Sequence, residues 1–164
     1  MATTLDTLTP TELHAWRGLL RAHALVVKRL DAEMEAIHGL PLTSYEVLLH
    51  LNAADDSRMR MCDLAEGIML SRSGLTRLVD RLERDGLVER VSCSDDARGA
   101  YARLTEAGTA KLRAAAPTHL EGIRRHFLAH VTAEQLAVLG EVWDALAGAA
   151  AASGPRCDAA GPHA

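Results

Sequence analysis

Ser71-Arg72-Ser73-Gly74-Leu75-Thr76-Arg77-Leu78-Val79-Asp80-Arg81-Leu82-Glu83-Arg84-Asp85 is the stretch that decides the fold. On a helical wheel at about 100° per residue, Leu75, Leu78, Val79 and Leu82 share roughly one third of the circumference. Arg72, Ser73, Thr76, Arg77, Asp80 and Arg84 fall on the other side. Ser71 is a suitable N-cap, and Gly86 is a typical residue just past a helix end. The helix therefore has one face committed to a core. Its other face carries guanidinium and hydroxyl groups in the first turn and a half. A recognition helix reads base edges with such N-terminal donors. The same pattern also suits the solvated face of an ordinary amphipathic helix, so the flanks must discriminate.

Downstream, Leu87 to Ser92 alternates weakly as a strand, positions 94–99 read as a turn, and Ala100 to Leu104 reads as a second strand. The result is a hairpin with Asp95, Asp96 and Arg98 near its tip. An arginine there can enter a minor groove, where negative potential is strongest. Asp96, two residues earlier, is placed to orient it through a charge-assisted bond. Upstream, a short helix is expected from Cys62 to about Ile68, preceded by an alternating segment, Arg58-Met59-Arg60-Met61. Thr43-Ser44-Tyr45-Glu46 reads as a capping box opening a helix that runs to Ala53.

The outer segments are helical. Thr9-Pro10-Thr11-Glu12 combines a cap, a first-turn proline and a capping box. The apolar stripe Trp16, Leu19, Leu20, His23, Val26, Val27, Leu30, Met34, Ile37 follows, and Gly39 and Pro41 end it. A helix of that length with one stripe calls for another long helix as partner. Thr105 caps a helix running towards His130, which Pro117 should kink or deprive of one hydrogen bond. Thr132-Ala133-Glu134-Gln135 opens the last helix. The reading is one mainly α domain over 1–152 with a small β-hairpin wing. Its winged helix-turn-helix core spans about 43–104, its dimerisation helices about 9–39 and 105–152, and 153–164 is an Ala-, Gly- and Pro-containing tail expected to be disordered.

In combination these segments resemble the MarR family of transcriptional regulators. The matching residues are Leu64-Ala65-Glu66, the run from Leu70 to Val88, the wing triplet Asp96-Ala97-Arg98, and Leu104-Thr105-Glu106-Ala107-Gly108. The resemblance implies a homodimer built on its N- and C-terminal helices. Each subunit would set its recognition helix in a major groove of a palindromic operator on double-stranded DNA. It implies DNA contacts from Ser71, Arg72, Ser73, Thr76, Arg77 and Arg98, with Arg81 and Asp96 grouped beside them. Ala97 stands where the family often has a second basic residue, which implies a weaker wing contact. The resemblance further implies a repressor released by a small organic acid or phenol, bound between the dimer helices and the DNA lobe. The polar and aromatic candidates for that pocket are Trp16, Arg17, His23, Tyr45, His50 and His119. By its position on the stripe, His23 also reads as a core histidine with one satisfied hydrogen bond. The urate-responsive relatives carry an Arg where this chain has Leu78, which argues against urate.

Two alternatives accompany that reading. His126 and His130 are four residues apart and His119 lies on nearly the same side, so a zinc-responsive regulator using this trio is one. A dimerisation module without DNA binding is the other, opposed by Arg72, Arg77 and Arg98 together. Cys62, Cys93 and Cys157 are odd in number and far apart, and read as free thiols of a cytoplasmic protein. Cys62 reads as a small buried filler. No phosphate loop, metalloprotease or nucleophile motif is present, so neither an enzyme nor a cofactor is expected. No signal peptide, membrane span or membrane partner is expected either. The net charge of −4 hides an asymmetry: Arg58 to Arg103 carries nine Arg against eight acidic residues, leaving the deficit to the flanks. Only this middle third is electrostatically suited to approach phosphate.

Overall fold

The computed structural model describes residues 8–93 and 96–153, with the side chains of 92–99 and 149–153 excepted. Helix α1, Pro10–His38, begins on a full capping box. The Thr9 side chain accepts from the Glu12 N–H, and the Glu12 carboxylate accepts from the Thr9 N–H. Gly39, at φ 58°, ends the helix in the left-handed conformation that glycine adopts without strain. Helix α2, Leu42–Ala53, starts two residues earlier than the Thr43 box predicts and has no side-chain cap of its own. The cap comes from α1, where Asp31 Oδ1 accepts from the Leu42 N–H at 2.8 Å. A carboxylate at a helix N-terminus also meets the positive end of the macrodipole.

A 3-10 turn, Asp55–Ser57, leads into β1, Arg58–Arg60, and helix α3, Met61–Gly67. Helix α4, Arg72–Arg84, follows on the Ser71 cap, whose Oγ accepts from the Gly74 N–H at 3.1 Å. Strands β2, Val88–Cys93, and β3, Asp96–Leu104, pair antiparallel, and β1 joins the other edge of β3, giving the order β1-β3-β2. The hairpin is longer than expected. Pairing continues past a bulge at Ser92/Cys93 until Cys93 faces Asp96, so Asp96–Gly99 belongs to the strand and not to a turn. Ser94 and Asp95 lie outside the described residues, as does the tail from 154 onward.

Helix α5, Glu106–His126, runs unbroken through Pro117 but stops short of the expected end. A 3-10 turn, Leu128–His130, intervenes before α6, Ala133–Ser153. The α6 box is present as predicted: the Gln135 side chain accepts from the Thr132 N–H at 2.9 Å and the Gln135 N–H donates to Thr132 Oγ1. No helix among the described residues is long and apolar enough to cross a membrane.

The core joins Met34 of α1, Val47, Leu48 and Leu51 of α2, Leu64 of α3, the apolar edge of α4, Val88 of β2 and Leu112 and Ala115 of α5. Two glycines set how closely α5 approaches. A Cβ on Gly108 would lie 2.1 Å from the Leu87 carbonyl oxygen, and one on Gly122 would lie 2.5 Å from Leu30 Cδ2. The first obstacle is fixed backbone and the second is a rotatable side-chain end. Gly108→Ala is therefore expected to destabilise by about 1–3 kcal/mol or more, and Gly122→Ala by less. Urea unfolding midpoints check the order, and equal losses would contradict the Gly108 contact.

Candidate nucleic-acid interface

Helix α4 displays the arrangement that the wheel predicts. Leu75, Leu78, Val79 and Leu82 are buried, while Arg72, Ser73, Thr76, Arg77 and Arg84 are exposed. Local bonds decide what each hydroxyl can offer. The Ser71 oxygen caps the helix and lies 3.4 Å from Ser73 Oγ. Thr76 Oγ1 donates to the Arg72 carbonyl at 2.9 Å, which leaves its lone pairs to accept from an outside donor. Arg77 makes no hydrogen bond or ion pair among the described residues, so its five donors face solvent. Arg81 differs. Its Nη2 donates to Ser44 Oγ at 2.9 Å, giving it a partner inside the protein that the sequence grouping with the DNA contacts does not foresee.

A clamp missed by sequence reasoning fixes the sheet to this helix. Arg90 on β2 is held between the carboxylates of Asp80 and Glu83 of α4, and its N–H also donates to Glu83 Oε1 at 3.1 Å. The Asp80 hydrogen bond, ahead of all other influences, raises the pKa of the Arg90 guanidinium. Across the hairpin, Arg103 Nε donates to Glu89 Oε1 at 2.8 Å. Behind it, Thr105 Oγ1 donates to the Gly86 carbonyl and accepts from the Gly108 N–H, so the end of α4, the sheet and the start of α5 meet at one hydroxyl. The side chains of Asp96 and Arg98 lie outside the described residues. Their backbones belong to β3.

This constellation has relatives. The homoprotocatechuate degradative operon repressor of Escherichia coli is 33% identical over 131 residues, which are 80% of this chain and 81% of that one. A family model described as MarR family matches residues 38–99. The chain belongs to the MarR family. Its fold is close to that of AbsC, a MarR family transcriptional regulator from Streptomyces coelicolor, with TM-score 0.82 and 37% identity over 88% of this chain and 97% of that one. Sco3205 from the same organism, solved in complex with DNA, gives TM-score 0.82 and 34% identity over 89% of this chain and 91% of that one. This MarR-family protein is thus a winged-helix transcriptional regulator and not an enzyme.

The six effector-pocket candidates do not converge. Trp16 lies in a groove of about 900 Å³ with Leu19 and Val26 of α1, Phe127, and Leu139, Trp143 and Leu146 of α6. Arg17 lines a different hollow, with Leu13, His14 and Arg21. His23 is exposed, which corrects its reading as a core histidine, because the first half of the α1 stripe is left largely uncovered by the described residues. His50 lies against Gly67, where a Cβ would approach its ring at 3.2 Å. Glu46, between them electrostatically, has its pKa raised by burial, an effect that nearby His50 and His23 oppose. Tyr45 and His119 do meet, with ring centroids 4.6 Å apart.

The metal trio also fails geometrically. Helix α5 ends at His126, so His130 is not one helical turn further on. His126 Nε2 instead bonds Glu33 Oε1 at 2.8 Å, and that bond is the leading reason the Glu33 pKa is lowered. No group of three His, Cys, Asp or Glu among the described residues is arranged for a metal ion. Cys62 is half-buried in the first turn of α3, with its Sγ 3.2 Å from Asp63 Oδ1. The side chain of Cys93 and all of Cys157 lie outside the described residues.

His119 generates a pH prediction. Its Nδ1 is buried with no hydrogen-bond partner among the described residues, and burial lowers its pKa. The unfolded chain therefore binds this proton more readily than the folded one. Stability is complete above the unfolded histidine value of about 6.5 and falls as pH drops from there towards the lowered folded value. His119→Phe keeps a ring against Tyr45 and removes the titration. Its melting temperature should decline less than that of the unaltered protein between about pH 7.5 and 5.5. Parallel declines would contradict the assignment.

Proposed function

We propose that this regulator is a homodimeric repressor that binds a palindromic operator and is released by a small organic acid or phenol. The observation that carries the DNA reading is the outward row of Arg72, Ser73, Thr76 and Arg77 over a buried leucine edge, on a helix clamped to the wing. The complex of Sco3205 with DNA supports it at 34% identity. Ser71, Arg72, Ser73, Thr76 and Arg77 act at the major groove and Arg98 at the wing, with Asp96 orienting it. Arg81 contributes only what Ser44 leaves free.

The dimer follows from uncovered apolar surface. Trp16 is 52% exposed, Leu20 50%, Trp143 40% and Leu146 55%, on α1 and α6. A second copy of the chain is the occupant that hides these faces, since patches of this size on a lone soluble chain mark interaction sites. The effector class draws support from the relative whose name ties it to a homoprotocatechuate degradative operon, homoprotocatechuate being a phenolic acid.

Selection from random duplexes should recover two-fold symmetric sites with half-sites about 10–10.5 base pairs apart, centre to centre. Arg77→Ala should cost about 1–3 kcal/mol and relax preference at one position per half-site. Arg98→Ala should weaken most sequences alike and reduce the salt slope by about 1. Asymmetric sites, or the same specificity profile for both variants, would overturn the division of roles.

A further inference from the structure

Met69 stands in the turn between α3 and α4, two residues before the Ser71 cap of the recognition helix. Hydrogen bonds fix its backbone. The Met69 N–H donates to the Glu66 carbonyl at 3.1 Å, and the Leu70 N–H donates to the Ala65 carbonyl at 2.9 Å, which closes α3 as a Schellman motif. The residue at the centre of that motif must be left-handed, and Met69 has φ 54°. Glycine meets this demand without strain, and glycine holds the positive-φ positions after α1 and α4, as Gly39 and Gly86. A β-carbon in this conformation costs stability. Asp56 and Ser57 also have positive φ, but they are short polar residues of a kind that turns tolerate. Met69 is the apolar exception among the described residues, and its side chain gains nothing from the fold in return. Ile68 and Leu70 on either side pack against the core, whereas Met69 is 92% exposed, more than any other large hydrophobic residue described. A single exposed apolar residue is ordinary. An exposed apolar residue held in a strained conformation, next to the exposed Ser71, Arg72 and Ser73, has no explanation within the chain's own packing.

We propose that Met69 is a specificity-determining residue of the DNA interface, whose thioether side chain packs on the 5-methyl group of a thymine beside the bases faced by the N-terminus of α4. A methionine has no hydrogen-bond donor and only a weak acceptor, so it has nothing to offer a phosphate. The thymine methyl is the apolar group that a base pair presents in the major groove. The side chain is long, unbranched and adaptable, which suits it to reach past the short Ser71 and Ser73. The left-handed backbone holds it outward while Ile68 and Leu70 anchor the turn on both sides. The proposal rests on the DNA reading of α4 given above, and adds an apolar, base-specific contact to the donors there.

The test is fluorescence anisotropy of the full chain on a labelled duplex recovered by selection. Each thymine of one half-site, together with its symmetry mate, is replaced in turn by deoxyuridine, which removes only the methyl group. One such thymine is expected to lower affinity on replacement by about three- to fivefold per half-site, the scale of one buried methyl. Met69→Gln keeps the length and the left-handed strain but not the apolar end, and should bind the thymine and deoxyuridine duplexes alike. Met69→Leu should retain the discrimination. Met69→Gly should lose it and yet melt a few degrees higher, because the strain is relieved. Arg77→Ala should weaken binding while still sensing the methyl. Unchanged affinity in Arg77→Ala would sink the DNA reading of α4, and this proposal with it. Weakened binding in Arg77→Ala, with no sensitive thymine in the half-site or with full discrimination by Met69→Gln, would overturn the Met69 contact alone. A lower melting temperature in Met69→Gly would equally overturn it, since the strain would then be no cost that the contact repays.

Discussion

The structure depends on burying one edge of α4. Leu75, Leu78, Val79 and Leu82 enter the core together, and each such side chain is worth about 1.5–3 kcal/mol against exposure. That burial fixes the helix about its own axis. A rotation by one residue would place Arg77 or Asp80 in apolar surroundings without a partner, at a cost exceeding any single contact it could gain. The outward direction of Arg72, Ser73, Thr76 and Arg77 is thus a consequence of packing behind them. Function at this face needs no further device to aim it.

Around that helix, polar bonds tie the neighbouring elements into one body. Arg90 joins β2 to α4 through two carboxylates. Thr105 joins the end of α4 to the start of α5, where Gly108 permits contact with the Leu87 carbonyl. Arg81 joins α4 to α2, and Asp31 joins α2 to α1. A displacement of α1 against α5 therefore has a mechanical route to the recognition helix. This route is the physical basis on which a ligand bound between those parts can change DNA affinity, provided that it prefers one arrangement.

Local signals made most of the fold legible. The Thr9-to-Glu12 box, the Ser71 cap and the leucine spacing of α4 act within one or two turns, and each stands where the sequence puts it. The MarR resemblance read from Leu64-Ala65-Glu66 and Leu70 to Val88 names the same family as the relatives do. The errors lie where distant residues intervene. The Thr43 box is unused because Asp31 on another helix supplies the cap, and the hairpin is longer because pairing absorbs a bulge. His23 sits on an apolar stripe that the described residues leave largely uncovered, so periodicity reads burial that they do not provide. Tyr45 with His119, and Arg81 with Ser44, are separated by tens of residues, and no spacing rule announces such pairs.

The central claim is that α4 and the wing, not the long terminal helices, face nucleic acid. Amide chemical-shift mapping of the isotopically labelled protein, titrated with a duplex recovered by selection, addresses it directly. The largest changes should fall on Ser71 to Arg77 and on the β2–β3 hairpin, with α6 little affected. Changes centred on α1 and α6, with Ser71 to Arg77 unmoved, would contradict the account.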